Sequence, residues 1–286
     1  MSAVVAVVTD STACLSAELL AGSGIRVVPL RVVLAGRVTD EGMPGQDAAV
    51  TVADVEQALR RGERVSTASP APERFAAAYA AAASGGAAAV VSVHLSARLS
   101  GTVNSASLAA RSAPVPVRVV DSRSIGMGLG LAVLAAAAAA GAGQDAAAVA
   151  AAATRRAAGL RSFFALDTPV HLRAGGRLAA SAALPDSALT ARPLLYIRDG
   201  RIAALEKART PSAAILRLEQ LAVEFAAGRP ADLAVQYLTD AGRGSALAGR
   251  LAEIVPGARQ VYLAAAGAVI CAHTGPGMIG VVVAPI

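Results

Sequence analysis

The sequence predicts an α/β fold, with a doubly wound parallel-sheet domain over residues 1–160 followed by a mixed α+β domain over residues 161–286. Three observations predict it. Short β-branched runs alternate with Ala-rich helical stretches through the first half, each run ends in small polar residues, and a hairpin signal arises only in the second half. At 286 residues, with 55% hydrophobic and 16% charged side chains, the chain is long enough for two domains and far too apolar for disorder. Much of that apolar content is alanine, which buries little area per side chain, so a finely packed core is expected.

Val4–Val8 is a continuous apolar run ending at Thr9-Asp10-Ser11-Thr12, the pattern of a buried strand feeding a cap. Ile25–Leu34 reads as a second strand. Thr51-Val-Ala-Asp54 is a capping box opening a helix to Arg61, with Gly62 as its stop. Strands are expected at Ala87–Val93 and Val115–Val120, and helices at 73–84, 102–112, 125–140 and 146–159. Beyond residue 160 come a strand at Ser162–Leu166, a short helix at Thr168–Arg173 and a Gly175-Gly176 break. Pro193–Ile197 and Ile202–Leu205 flank Asp199-Gly200, a pair that favours a tight antiparallel reversal. A helix over Pro211–Ala227 and strands at Asp232–Leu238, Gln260–Ala265 and Ile279–Val283 complete the reading.

Composition excludes several classes. Lys+Arg 26 against Asp+Glu 20 leaves +6, but the basic residues are scattered and aromatics make up only 3%, so a base-stacking nucleic-acid surface is not expected. Cys14 and Cys271 form no CxxC pair and read as buried small apolar residues. No two of His94, His171 and His273 stand at a metal-ligand spacing, so no metal site is expected. The start lacks a basic leader and long apolar run, which predicts a cytoplasmic protein. Between Arg123 and Asp145 no charge occurs, yet the segment is mostly Ala and Gly, which insert weakly into lipid; a buried helix is expected. Gly275-Pro-Gly277-Met-Ile-Gly280 matches GxGxxG, but Val281-Val-Val follows where a dinucleotide site needs a helix. Asp10, Asp121, Asp167 and Asp240 all stand at strand ends, where a capping role is expected of each.

Four polar islands remain. Ser66-Thr67-Ala-Ser69-Pro70-Ala-Pro72 precedes a helix, either as an ordinary cap or with Thr67 offering its hydroxyl to a pocket. His94-Leu-Ser96-Ala-Arg98-Leu-Ser100-Gly101-Thr102 opens another helix, whose free N–H groups suit an anion as well as they suit a simple cap. Leu172-Arg173-Ala-Gly175-Gly176-Arg177-Leu178 reads by default as an exposed loop with solvated arginines. Ala272-His273-Thr274-Gly275-Pro276-Gly277 places a histidine in a Gly-rich loop between two strands, as a core residue or facing a ligand.

Taken in order, these segments resemble the DegV family of bacterial fatty-acid-binding proteins, the acyl-carrying subunits of fatty acid kinase. Thr9-Asp10-Ser11-Thr12 is similar to its opening TDST, Thr67 through Phe75 to TSQPSPxxF with Ala68, Ser69 and Ala71 as departures, and Ser96 through Thr102 to SxxLSGT. Val120-Asp121-Ser122 is similar to a strand-end DS, Leu172–Leu178 to LxxGGRI, Arg192 through Thr210 to KPIL…DG…KxRT with Arg192 in place of lysine, and His273 through Gly277 to HxGPG. The resemblance implies a long-chain fatty acid held between the two domains, its carboxylate met by Thr67, Ser100 and His273, with Gly101 allowing close backbone approach. Ser96, Thr102 and Gly275 are secondary candidates, and Arg177 would face the docking kinase. It further implies a protein that is not itself an enzyme and holds no cofactor, presenting the carboxylate to a separate ATP-dependent kinase that forms the acyl-phosphate. A lipid cargo leaves room for transient contact with a membrane surface.

The chemistry is consistent with this. Burying about 16 carbons at ~0.8 kcal/mol per CH₂ supplies on the order of 12 kcal/mol gross, much of it offset by ordering the ligand. A buried carboxylate must be hydrogen-bonded, and two hydroxyls, an imidazole and a helix N-terminus suffice. The alternative is a small-molecule phosphotransferase or hydrolase acting alone, with phosphate held at Ser100-Gly101-Thr102; turnover by the purified protein without a partner would distinguish it.

Overall fold

The computed structural model describes residues 4–42, 50–178 and 192–286; the opening Met1–Ala3 lies outside them. The first strand, β1 (Val5–Asp10), is followed by a 3₁₀ turn (Ser11–Ala13), the short α1 (Ala17–Leu20), and strands β2 (Ile25–Val28), β3 (Arg31–Leu34) and β4 (Arg37–Asp40). Next come α2 (Val52–Arg60), β5 (Val65–Ala68), α3 (Pro72–Ser84), β6 (Ala89–His94), α4 (Thr102–Ala110), β7 (Val117–Asp121), α5 (Met127–Gly141) and α6 (Ala146–Gly159). The second half holds β8 (Arg161–Ala165), α7 (Val170–Ala174), β9 (Arg192–Arg198), β10 (Arg201–Ala208), α8 (Pro211–Ala226), β11 (Ala231–Tyr237), α9 (Ala241–Ile254), β12 (Ala258–Ala265), α10 (Ala268–Thr274) and β13 (Ile279–Pro285).

Strands β2-β1-β6-β7 form a parallel sheet, and β10-β9-β8-β13-β11-β12 a mixed one. Period-two alternation assigns each strand's faces. In β1, Val5 and Val7 face α5 while Val8 joins Phe75 and Tyr79 beneath α3 and α4; in β13, Val282 faces α5 while Val281 and Val283 face α8 and α9. Helices α5 and α6 therefore lie between the two sheets, and α3/α4 and α8/α9 cover the outer faces. Burial on both sides explains why the segment around α5 is apolar all round. No helix among the described residues is long and apolar enough to cross a membrane.

The Thr51–Asp54 capping box forms as read, and Asp199 and Gly200, at φ +50° and +75°, make the two-residue reversal between β9 and β10. Two expectations need correction. Ile25–Leu34 is not one strand: Pro29 has no N–H for a ladder, and beyond it the chain leaves the parallel sheet for a separate three-stranded antiparallel sheet, β4-β3-β5. The Ala272–Gly277 island is not simply a loop between strands, because His273 lies on α10.

Helix α10 crosses back to the first half, packing on α2, β3 and β5. Its first turn is held by Glu41, whose carboxylate accepts the Val269 N–H at 2.8 Å and the Ser11 hydroxyl. Burial pushes the Glu41 carboxyl from 4.5 up to about 7, against the pull of those bonds. The folded state thus takes up the proton more readily, and this contribution to stability is complete below pH 4.5 and lost as pH rises through about 7. Glu41→Gln is expected to be more stable than the parent at pH 8 by on the order of 1–3 kcal/mol and to lose that advantage near pH 4.5, measured by denaturant unfolding at both values.

Candidate functional site

The strand order reverses direction between β1 and β6, and ligands of open α/β sheets bind beyond the carboxyl ends of strands at such a point. There the β6–α4 loop, the end of β5, the start of α5, α10 and the inner face of the mixed sheet enclose a chamber of about 340 Å³. That volume lies in the range of about 300–1,000 Å³ usual for small-molecule sites. Its walls are mainly apolar, with Leu30, Leu95, Ile125, Phe164, Ile202 and Met278 among them.

One end is polar. Thr67, at the end of β5, places Oγ1 2.8 Å from Nε2 of His273 on α10, a contact between residues 206 positions apart. Across from them Ser100 shares a 2.9 Å hydrogen bond with Thr102 Oγ1, and Gly101 caps α4 with no side-chain acceptor on the helix's first N–H groups. A Cβ on Gly101 would stand 3.5 Å from Ser69 Oγ, so the α4 terminus faces the end of β5 at close range. The arrangement offers two hydroxyls, a helix N-terminus and an imidazole to an anion.

The Gly175-Gly176-Arg177 segment fits around the imidazole. A Cβ on Gly175 would come within 2.6 Å of His273 Nδ1, so only glycine leaves the ring its space, while Gly176 takes φ +66°. Arg177 then reaches the Leu99 carbonyl at 3.4 Å and the Gly175 carbonyl, holding the β6–α4 loop to the α7 segment. Burial, and then the charge of Arg177, push His273 from 6.5 down to about 4, so the ring is neutral at neutral pH.

Thr67, Ser100, Gly101, His273 and Arg177 all line the chamber; Ser96, Thr102 and Gly275 are placed around it rather than on its wall. Ser96 Oγ donates to the Gly200 carbonyl at 2.7 Å, tying the β9–β10 hairpin to the parallel-sheet half, with an Arg123–Asp199 ion pair beside it. Thr102 is buried behind Ser100, and Gly275 packs against the His171 ring. Asp10 caps the 3₁₀ turn as expected and also accepts from His94 Nδ1 at 3.0 Å; His94 Nε2 stands 2.6 Å from Ser92 Oγ, which accepts from Tyr79. This Asp-His-Ser chain has no exposed atom to offer a substrate, and it braces the strand ends under the chamber. Ser162 and Gln236 on the mixed-sheet wall escaped the sequence reading, which took both only as parts of strands.

The fold and the chamber together define a class: a three-sheet α/β protein with a mainly apolar chamber that carries the neutral polar groups of Thr67, Ser100 and His273 at one end. A family model described as uncharacterised protein, DegV family, matches residues 4–285, and the chain belongs to the DegV family. It is 49% identical over 283 residues to a DegV domain-containing protein of Streptomyces coelicolor, covering 99% of each chain. Among solved structures it is similar to one of fatty acid binding by a DegV family protein from Thermus thermophilus, with TM-score 0.90, 33% identity and coverage of 99% and 100% of the two chains. It is also similar to DegV, a fatty acid binding protein from Bacillus subtilis, with TM-score 0.87, 27% identity and full coverage of both.

Proposed function

We propose that the protein binds a long-chain fatty acid in the interdomain chamber and presents its carboxylate to a separate ATP-dependent kinase subunit for acyl-phosphate formation. The observation that carries this reading is the Thr67–His273 pair, which lines a polar end of a mainly apolar chamber together with Ser100 and Gly101. A carboxylate only accepts hydrogen bonds. With His273 Nε2–H donating to Thr67 Oγ1, the Thr67 hydroxyl hydrogen is released toward the ligand, and the Ser100 hydroxyl and the α4 N–H groups supply further donors. Burial and the Arg177 charge disfavour a charged ring before the ligand arrives, so the donors that await the carboxylate are neutral rather than a fixed cation. The fatty acids bound by the relatives from Thermus thermophilus and Bacillus subtilis support the cargo. Two buried free thiols suit a reducing, cytoplasmic setting.

Solvent extraction of the purified protein followed by mass spectrometry is expected to yield fatty acid at close to one equivalent; an empty extract, with no uptake of added hexadecanoate, would refute the reading. Arg177→Ala is expected to keep its lipid while phosphorylation by the kinase falls at least tenfold, since the guanidinium is spent on the Leu99 and Gly175 carbonyls, where it holds together the two segments the kinase would meet, and is not needed as a carboxylate donor. Lipid loss with normal phosphorylation of the remaining complex would reverse that role.

A further inference from the structure

Helix α10 belongs to the second half of the chain, yet hydrogen bonds tie both its ends to the small antiparallel sheet of the first half. At the C-terminal end His273 Nε2 meets Thr67 Oγ1, at the end of β5. At the N-terminal end the Val269 N–H donates to Glu41 Oε1 at 2.8 Å, and Glu41 directly follows β4. Strand β3 pairs with both β4 and β5, so the two anchors share one support. Glu41 is 2% exposed and held on every side: its Oε2 accepts the Ser11 hydroxyl, Ser11 Oγ accepts the Leu30 N–H at 3.0 Å, and the Glu41 N–H donates to the Leu30 carbonyl at 2.8 Å. A Cβ on Gly267 would collide with Oε1, so the start of the helix is seated on the carboxylate. With seven residues and no capping side chain of its own, α10 is too short to hold its place by helix propensity alone.

We propose that Glu41 is a positioning residue for the carboxylate site: by fixing the first turn of α10 it sets where His273 meets Thr67, and so governs the grip on the fatty acid without lining the chamber itself. This rests on the fatty-acid reading above and concerns how that same site is held. Val269 and His273 stand one helical turn apart, about 6 Å along the axis, so a displacement of the helix start is carried to the imidazole with little loss. A contact stretched from 2.8 Å to about 3.6 Å is no longer a hydrogen bond, so a shift of under ~1 Å uncouples Thr67 from His273. Alanine at position 41 leaves the Val269 N–H and the Ser11 hydroxyl without their acceptor. Glutamine keeps a carbonyl for Val269, and its amide can donate to Ser11 Oγ.

The test is a double-mutant cycle read by calorimetric titration of the lipid-stripped full chain with hexadecanoate. Glu41→Ala is expected to bind about tenfold more weakly than the parent, and Glu41→Gln within threefold of it. In a Thr67→Val background, where the contact with His273 is already lost, Glu41→Ala is expected to weaken binding by less than threefold further. A tenfold loss in both backgrounds overturns the proposal, because Glu41 would then act on the fold at large and not through the Thr67–His273 pair. Glu41→Ala that binds within threefold of the parent overturns it too, and so does a Glu41→Gln variant that binds no better than Glu41→Ala. Should Glu41→Ala fail to fold, Ser11→Ala, which removes one anchor of the carboxylate, takes its place in the cycle. A loss in the parent background with little further loss in Thr67→Val is again expected, and equal losses, or none, overturn the proposal. Any of these overturning results with hexadecanoate bound to the parent removes this inference alone, whereas failure of the parent to bind removes the fatty-acid reading with it.

Discussion

Thr67→Val combined with Ser100→Ala is expected to weaken fatty-acid retention about 100-fold, on the order of 3 kcal/mol, while the fold persists. Valine keeps the shape of threonine but deprives His273 Nε2 of its 2.8 Å partner and the ligand of its donor. Alanine at position 100 removes the hydroxyl beside Thr102 and leaves the α4 N–H groups as the remaining donors at that end. Each buried acceptor left unmet costs ~1–3 kcal/mol, and two donors to one carboxylate are coupled, so the pair should cost less than twice the larger single effect. Equilibrium titration of stripped protein with hexadecanoate measures it. Affinity within threefold of the parent would show that the carboxylate lies elsewhere.

Gly130→Val is expected to lower stability by about 3 kcal/mol and the melting temperature by roughly 6–12 °C. Helix α5 lies so close to the 3₁₀ turn after β1 that a Cβ on Gly130 would stand 2.6 Å from the Ala13 carbonyl oxygen and 2.9 Å from Met127 Sδ. Met127 can shift its side chain, but the carbonyl belongs to a turn pinned by Asp10, which bonds Thr12 N and Leu95 N as well as His94. Separating the two sheets would also open the chamber, so lipid loss is expected to accompany the thermal shift. A calorimetric scan with melting unchanged within 2 °C would show that α5 can slide, and the close approach would then carry no stability.

The alternation of apolar runs and Ala-rich stretches is a local pattern, and it was enough to announce the strands of the parallel sheet, the long helices other than α9 and the Asp199-Gly200 reversal. What escaped was decided by neighbours. β4 and β5 are four-residue strands, too short for their Val and Thr residues to set up a readable alternation, and they exist because β3 pairs with both. Helix α10 follows an Ala run with no capping side chain; Glu41, more than 220 positions away, supplies the acceptor at its N-terminus.

For the site, the sequence by itself determined the inventory: hydroxyls at Thr67 and Ser100, an imidazole at His273, glycines before Arg177, and an apolar majority able to line a cavity. Only the tertiary structure decided which of these meet. It brings Thr67 and His273 to 2.8 Å, turns Ser96 to the hairpin carbonyl of Gly200, and leaves Ser162 unbonded on the chamber wall. The physical reason is range. Periodicity and capping act within a turn or a strand, whereas a hydrogen bond across 206 residues depends on how two sheets pack around α5 and α6, which no local pattern encodes.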